Sequence, residues 1–247
     1  MMHIRPFISL AILFVLPTIG QAATWTFTGS ATAQEEDRVY QERHELTGEC
    51  RDGLFLPLEH QVEYVKEGSK DVFARKTLEY EESVLRPSLD FRQPAFGERM
   101  QVTNANDETA KIHWQTNEGG TETYEVALTD EVVVDSGFDN LVRTNWQRLT
   151  SGGSVDFRFL APTRGEHYAF VLEPAEDSRI DADVVLRIEP SGFVMGFLVE
   201  PILLGYSDDG TLTDYLGLTN VRKDRDNNYT AHIRYSHDEM PGCGLIR

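Results

Sequence analysis

The chain has 247 residues and a net charge of −18, from 41 Asp and Glu against 23 Lys and Arg. That balance opposes nucleic acid and anionic membrane surfaces as partners, because both need clustered positive charge. The two cysteines, Cys50 and Cys243, give neither a metal-knuckle spacing nor a CxxC redox pair.

Residues 1–22 read as a secretory signal peptide. His3 and Arg5 make a short basic start, residues 7–16 form a compact apolar run, and Gly20, Gln21 and Ala22 supply the small residues wanted before a cut. The run is too short to span a bilayer and Pro17 breaks it. Cleavage near Ala22 and Ala23 would leave one β-rich domain, residues 23–247, in the periplasm of a Gram-negative bacterium with no transmembrane anchor. An oxidising compartment permits a disulfide between Cys50 and Cys243, but the sequence does not show whether their Cα atoms approach.

From residue 23 onward apolar side chains alternate at strand period. Trp25 and Phe27 share a face over 23–32, and Tyr40, Glu42, His44 and Leu46 share one over 37–49. A hairpin joins 58–66 to 72–80 around Glu67, Gly68, Ser69 and Lys70, with Leu58, Val62 and Tyr64 on its apolar face. Pro87 and Pro94 bracket a short strand at 88–93. Strands at 98–104, 110–116 and 121–129 complete a meander with short polar turns.

Residues 136–151 break the pattern. Phe138, Leu141, Val142, Trp146 and Leu149 recur at helical spacing, with Arg143, Thr144, Gln147 and Arg148 on the other side. Asp135 or Ser136 can cap the start, and Gly152 and Gly153 can end it. Such a helix must lie on an apolar sheet face. Strands resume at 154–161, 166–173 and 180–188. The apolar run 192–206 is broken at Glu200 and Pro201, residues 215–221 read as an edge segment, and 229–236 is the last strand. The fold expected is mainly β: a curved antiparallel sheet or half-barrel of about twelve strands with one docked helix. The tail after His237 has no order unless Cys243 holds it.

Catalytic signatures are absent: no phosphate-cradling glycine loop, no GxSxG, no HExxH. Residues 224–228 start like a calcium loop, but Tyr229 stands where the glycine turn belongs and Tyr235 where the bidentate glutamate belongs, so they read as a polar turn. What stands out is polarity on faces that ought to be buried. His60 shares its face with Leu58, Val62 and Tyr64, Lys76 with Ala74, Leu78 and Tyr80, and Glu42 and His44 lie similarly. A buried charge is costly unless paired or next to water. One reading is a cavity between sheet and helix, with His60 and Lys76 near its mouth for an anionic head, Glu42 and His44 beside them, and Trp146 on the helix. The other is an ordinary ion pair such as Lys76 with Glu42, or lysine stems reaching out at a sheet edge.

The antiparallel run, the single docking helix, the leader and the 215–221 segment together resemble periplasmic half-barrel proteins of the lipoprotein-carrier type and related exported bacterial families. The resemblance implies a concave sheet covered by a helix and holding an apolar or lipid-like ligand. The expected function is non-enzymatic ligand binding or carriage in the periplasm, with no cofactor and no metal. The alternatives are a cell-envelope polymer-modifying enzyme with paired carboxylates and a scaffold acting through a surface patch or sheet edge.

Overall fold

The computed structural model of the protein describes residues 21–33, 38–191 and 200–247. Most of the expected leader and residues 192–199 of the apolar run lie outside them. Before the helical stretch the strands are β1 Gln21–Ala33, β2 Arg38–Arg51, β3 Leu54–Lys66, β4 Val72–Glu79, β5 Ser88–Gln93, β6 Glu98–Asn104, β7 Thr109–Gln115, β8 Thr121–Ala127 and β9 Val132–Val133. The helices α1 Gly137–Thr144 and α2 Trp146–Thr150 follow, then β10 Val155–Ala161, β11 Glu166–Pro174, β12 Val184–Pro190, β13 Ile202–Tyr206, β14 Leu212–Arg222 and β15 Asn228–Glu239.

All fifteen strands form one sheet in the order β8-β7-β6-β5-β4-β3-β2-β1-β15-β14-β13-β12-β11-β10-β9. Pairing is antiparallel except between β9 and β10. The protein is therefore mainly β, with more strands than the roughly twelve expected. The two-residue β9 carries no readable alternation. The segment at 215–221 is not an edge, because β14 lies between β13 and β15.

The two ends of the sheet are consecutive in the chain, so the sheet curls into an unclosed barrel with a seam between β8 and the β10–β11 hairpin. Several contacts cross the curl. Arg222 on β14 forks onto Glu98 on β6 at 2.7 and 2.8 Å, and Gln93 donates to the Asn220 carbonyl at 3.2 Å. The Tyr124 ring lies over Gly165 so closely that a Cβ there would meet it at 2.4 Å, and Gly165 also has φ 63, so glycine is required twice over. Arg86 holds the connection between the sheet's ends. It forks onto Asp107 with both bonds at 2.6 Å and donates to the carbonyls of Thr129, Asp130 and Val132.

The expected single helix is two. Asn145 adopts φ −106 and ψ 17 between α1 and α2, and its side-chain amide donates to the Leu141 carbonyl at 2.9 Å, a local bond that competes with regular helix. The apolar stripe survives the bend. Leu141, Val142, Trp146 and Leu149 pack with Phe157, Leu172, Leu186, Ile188, Leu204 and Tyr206. Among the described residues these side chains pack both helices onto the sheet face.

Cys50 and Cys243 are bonded, with Cα atoms 5.9 Å apart. The tail is ordered beyond that bond. Gly244 donates to Gly53 O and accepts from Phe55 N, both at 2.9 Å, and Leu245 is buried against Trp25, Phe27, Leu46 and Phe55.

Candidate functional site

The polar residues picked out on β2, β3 and β4 are buried: Glu42 and His60 are 5% exposed and Lys76 8%. Their inward direction is set partly by a bulge. Between β2 and β3 the register shifts so that Pro57 faces Gly48 and Glu59 faces Thr47, leaving Leu58 extra. Leu58 is therefore 50% exposed rather than on the apolar face with Val62 and Tyr64. Beyond it His60, Val62 and Tyr64 point inward.

Glu42, His44 and His60 come together. The rings of His44 and His60 meet through Nδ1 and Nε2 at 2.9 Å, and His44 Nε2 lies 3.0 Å from Glu42 Oε2. The same carboxylate oxygen accepts from the Tyr235 hydroxyl at 3.2 Å. Gly29 makes room for this meeting, since a Cβ there would lie 2.8 Å from the Tyr235 ring and 3.1 Å from Glu42 Oε2. Phe27 stacks on His44 with centroids 4.2 Å apart. Burial, then the charges of His44, Lys76 and Arg143, push the His60 imidazole well below its ordinary pKa. The trio is a satisfied interior chain of hydrogen bonds with a neutral His60 at its end.

Lys76 does not join it. Its partner is Asp135, just before α1, at 2.7 Å, not Glu42. Asp135 Oδ1 also accepts from the Ser136 N–H and hydroxyl, and Oδ2 accepts from the Asn220 amide at 2.8 Å. These bonds hold Asp135 at φ 44, a region a side chain disfavours. Burial pushes its carboxyl up, but the charge of Lys76 and the hydrogen bonds from Lys76 and Ser136 outweigh that and keep it below the usual carboxylate range. Ser136 precedes α1 without a side-chain capping bond, so Asp135 serves Lys76 rather than the helix.

A hollow opens beside this ion pair, along the seam. Leu89, Phe91, Met100, Val134, Phe159 and Leu160 make its apolar wall, and Asp135, Asn220, Asn228, Gln93, Glu98 and Arg222 its polar part. Its volume is about 170 Å³. An apolar hollow of ~150 Å³ takes a benzene-sized molecule, whereas drug-sized ligands occupy roughly 300–1,000 Å³. A whole acyl chain does not fit.

The polar part presents acceptors. Lys76 is taken by Asp135 and Arg222 by Glu98, whose carboxylate also receives Trp114 and Gln93. The Asn228 amide donates to the Thr219 carbonyl at 3.0 Å, which fixes its orientation and leaves Oδ1 buried without a partner. An anion would meet Asp135, Glu98 and Asn228 Oδ1 with both cations already committed. A hydroxyl or amine would meet the carboxylate acceptors of Asp135 and Glu98, beside Asn228. The anionic head expected at His60 and Lys76 has no place there, because His60 is held neutral and Lys76 is neutralised.

Trp146 stands apart. It packs edge-on against Tyr206 with centroids 5.9 Å apart and lines a separate groove beside the C-terminal tail. Asp135, Asn228 and Glu98 were not among the sequence candidates. The unpaired polarity of Lys76 called for a partner, but nothing in the spacing pointed to residue 135. Among the described residues no group of three His, Cys, Asp or Glu could hold a metal ion, and no helix is long and apolar enough to cross a membrane.

The fold and hollow define a β-barrel-like protein with a curled, unclosed sheet. Among solved structures the chain is similar to a β-barrel-like protein of domain of unknown function DUF1849 from Brucella abortus, at 7% identity over 90% of this chain and 98% of that one, with a TM-score of 0.39. No protein-family model matches the chain, and no curated protein sequence does.

Proposed function

We propose that the protein is an exported, non-enzymatic binding protein whose seam hollow takes a small apolar molecule carrying a hydrogen-bond donor, an alcohol or an amine. The observation that carries this reading is the juxtaposition of an apolar wall with the unpartnered Asn228 Oδ1 and with two cations already neutralised. A buried acceptor left unmade costs about 1–3 kcal/mol, and a donor on the ligand recovers it. Export is supported by the leader-like residues 1–22 and by the Cys50–Cys243 bond, since disulfides persist in oxidising compartments.

The polymer-modifying alternative needs two carboxylates facing one cleft. The buried carboxylates of Glu42, Glu98, Asp135 and Asp214 are each committed to a histidine or a cation, which gives that alternative no support. The test is native mass spectrometry of the full-length protein expressed with its leader and recovered from the periplasm of a Gram-negative host. The expected result is a mature chain starting near Ala23 with an added mass of benzene-to-hexanol size, removable by solvent and restored by incubation with hexan-1-ol. Recovery in the cytoplasm with the leader intact would remove the export claim. A chain that neither carries nor takes up such a molecule would remove the binding claim.

A further inference from the structure

The C-terminal tail builds a second concavity, which shares no lining residue with the seam hollow. Between α1–α2, the start of β3 and the tail lies a groove of about 640 Å³. The tail forms one wall because it is fastened there by the Cys50–Cys243 bond, by the Gly244 hydrogen bonds to Gly53 and Phe55, and by buried Leu245. Leu54, Leu56 and Trp146 supply apolar surface, and Arg148 and Arg247 supply charge. Arg143 lies behind them, its charge answered by Asp139 at 2.7 Å. Among the described residues the guanidinium groups of Arg148 and Arg247 have neither an ion pair nor a hydrogen bond.

The charge pattern is what selects the occupant. In a chain with 41 acidic residues, no Asp or Glu lines this groove, so the unanswered Arg148 side chain lies beside a wall without acidic side chains. The volume falls within the range of small-molecule sites, roughly 300–1,000 Å³. We propose that the groove binds a single-chain anionic amphiphile, a medium-chain carboxylate. Its head is forked by Arg148 with Arg247 beside it, and its chain lies on Leu54, Leu56 and Trp146. The planar guanidinium fork matches a carboxylate, and such charge-assisted bonds are the strong ones. This site is independent of the seam hollow, whose polar part rejects anions.

The test is calorimetric titration of the mature protein with octanoate, with its methyl ester, which has neither charge nor donor, and with acetate. The expected result is one octanoate per chain, with the ester weaker by about tenfold, the scale of one lost charge-assisted hydrogen bond, and no binding of acetate at millimolar concentration. R148A, at an exposed position, should weaken octanoate by a similar factor and leave the ester unchanged, with R148K intermediate. Asn228→Leu in the seam should leave octanoate binding intact. Equal binding of octanoate and its ester, an R148A variant with wild-type affinity, or the absence of saturable octanoate binding would each overturn the proposal.

Discussion

The two sides of the barrel interior solve burial differently. Under the helices the interior is hydrocarbon: Val142, Leu149, Leu172, Leu186 and Leu204 are at most 1% exposed and touch one another. Facing β2, β3 and β4, the same inward positions carry Glu42, His44, His60 and Lys76, each satisfied by a neighbour. The helical side gains stability in proportion to the apolar area it hides. The polar side gains little net stability, because desolvating an ion pair offsets most of its attraction. What it does instead is fix Asp135, and with it the start of α1 and the end of the seam hollow.

The largest expected effect strikes the polar side. Lys76→Met leaves Asp135 buried without its counter-charge and should cost about 3–5 kcal/mol in urea unfolding. Adding Asp135→Asn, which removes the charge and tolerates the left-handed backbone, should recover much of that loss. A single variant as stable as wild type would mean that Asp135 reaches water. On the helical side Leu204→Ala should cost about 2–5 kcal/mol by leaving a cavity, with no recovery from any second polar change. Cys50→Ala with Cys243→Ala should cost about 2–4 kcal/mol through the unfolded chain. The loss should come with faster proteolysis of the tail, and equal proteolysis would show that Gly244 and Leu245 hold it unaided.

The smallest effect is on pH. His60 has a folded pKa below its ordinary value, so the unfolded chain takes up the proton first as pH falls through about 6.5. Stability from this group is complete above that pH and declines below it, by at most about 1.4 kcal/mol per pH unit. His60→Gln should therefore flatten the wild-type decline between about pH 6.5 and 5, read as urea midpoints. Parallel slopes in the two proteins would show that His60 titrates freely when folded.

Much of the fold was legible because local patterns governed it. Pro87 and Pro94 bracket β5, and β6 alternates Met100 and Val102, so the expected bounds 88–93 and 98–104 match. The Leu141, Val142, Trp146 and Leu149 stripe likewise requires a helix on a sheet. Long-range pairing was not legible. Leu58 is turned outward by a register shift set by β2, and Ile180, though buried, precedes β12 because β13 pairs only from Val184 onward. Of the site, the burial of Glu42, His60 and Lys76 followed from alternation alone. Their partners did not, since Lys76 and Asp135 are 59 positions apart and meet only once the sheet has curled. The Asn228 acceptor looked like part of a turn, and only the hydrogen bond to Thr219 shows its oxygen left over.

The central claim is that the seam hollow prefers a donor to an anion, and Met100 in its wall reports on it directly. Methyl NMR of the methionines during titration with hexan-1-ol and with hexanoate gives the comparison at that site. The account predicts a saturable shift of the Met100 methyl with the alcohol, weakened roughly two- to tenfold by Asn228→Leu, and no shift with hexanoate. A Met100 methyl that ignores the alcohol, or moves as far with the carboxylate, would contradict it.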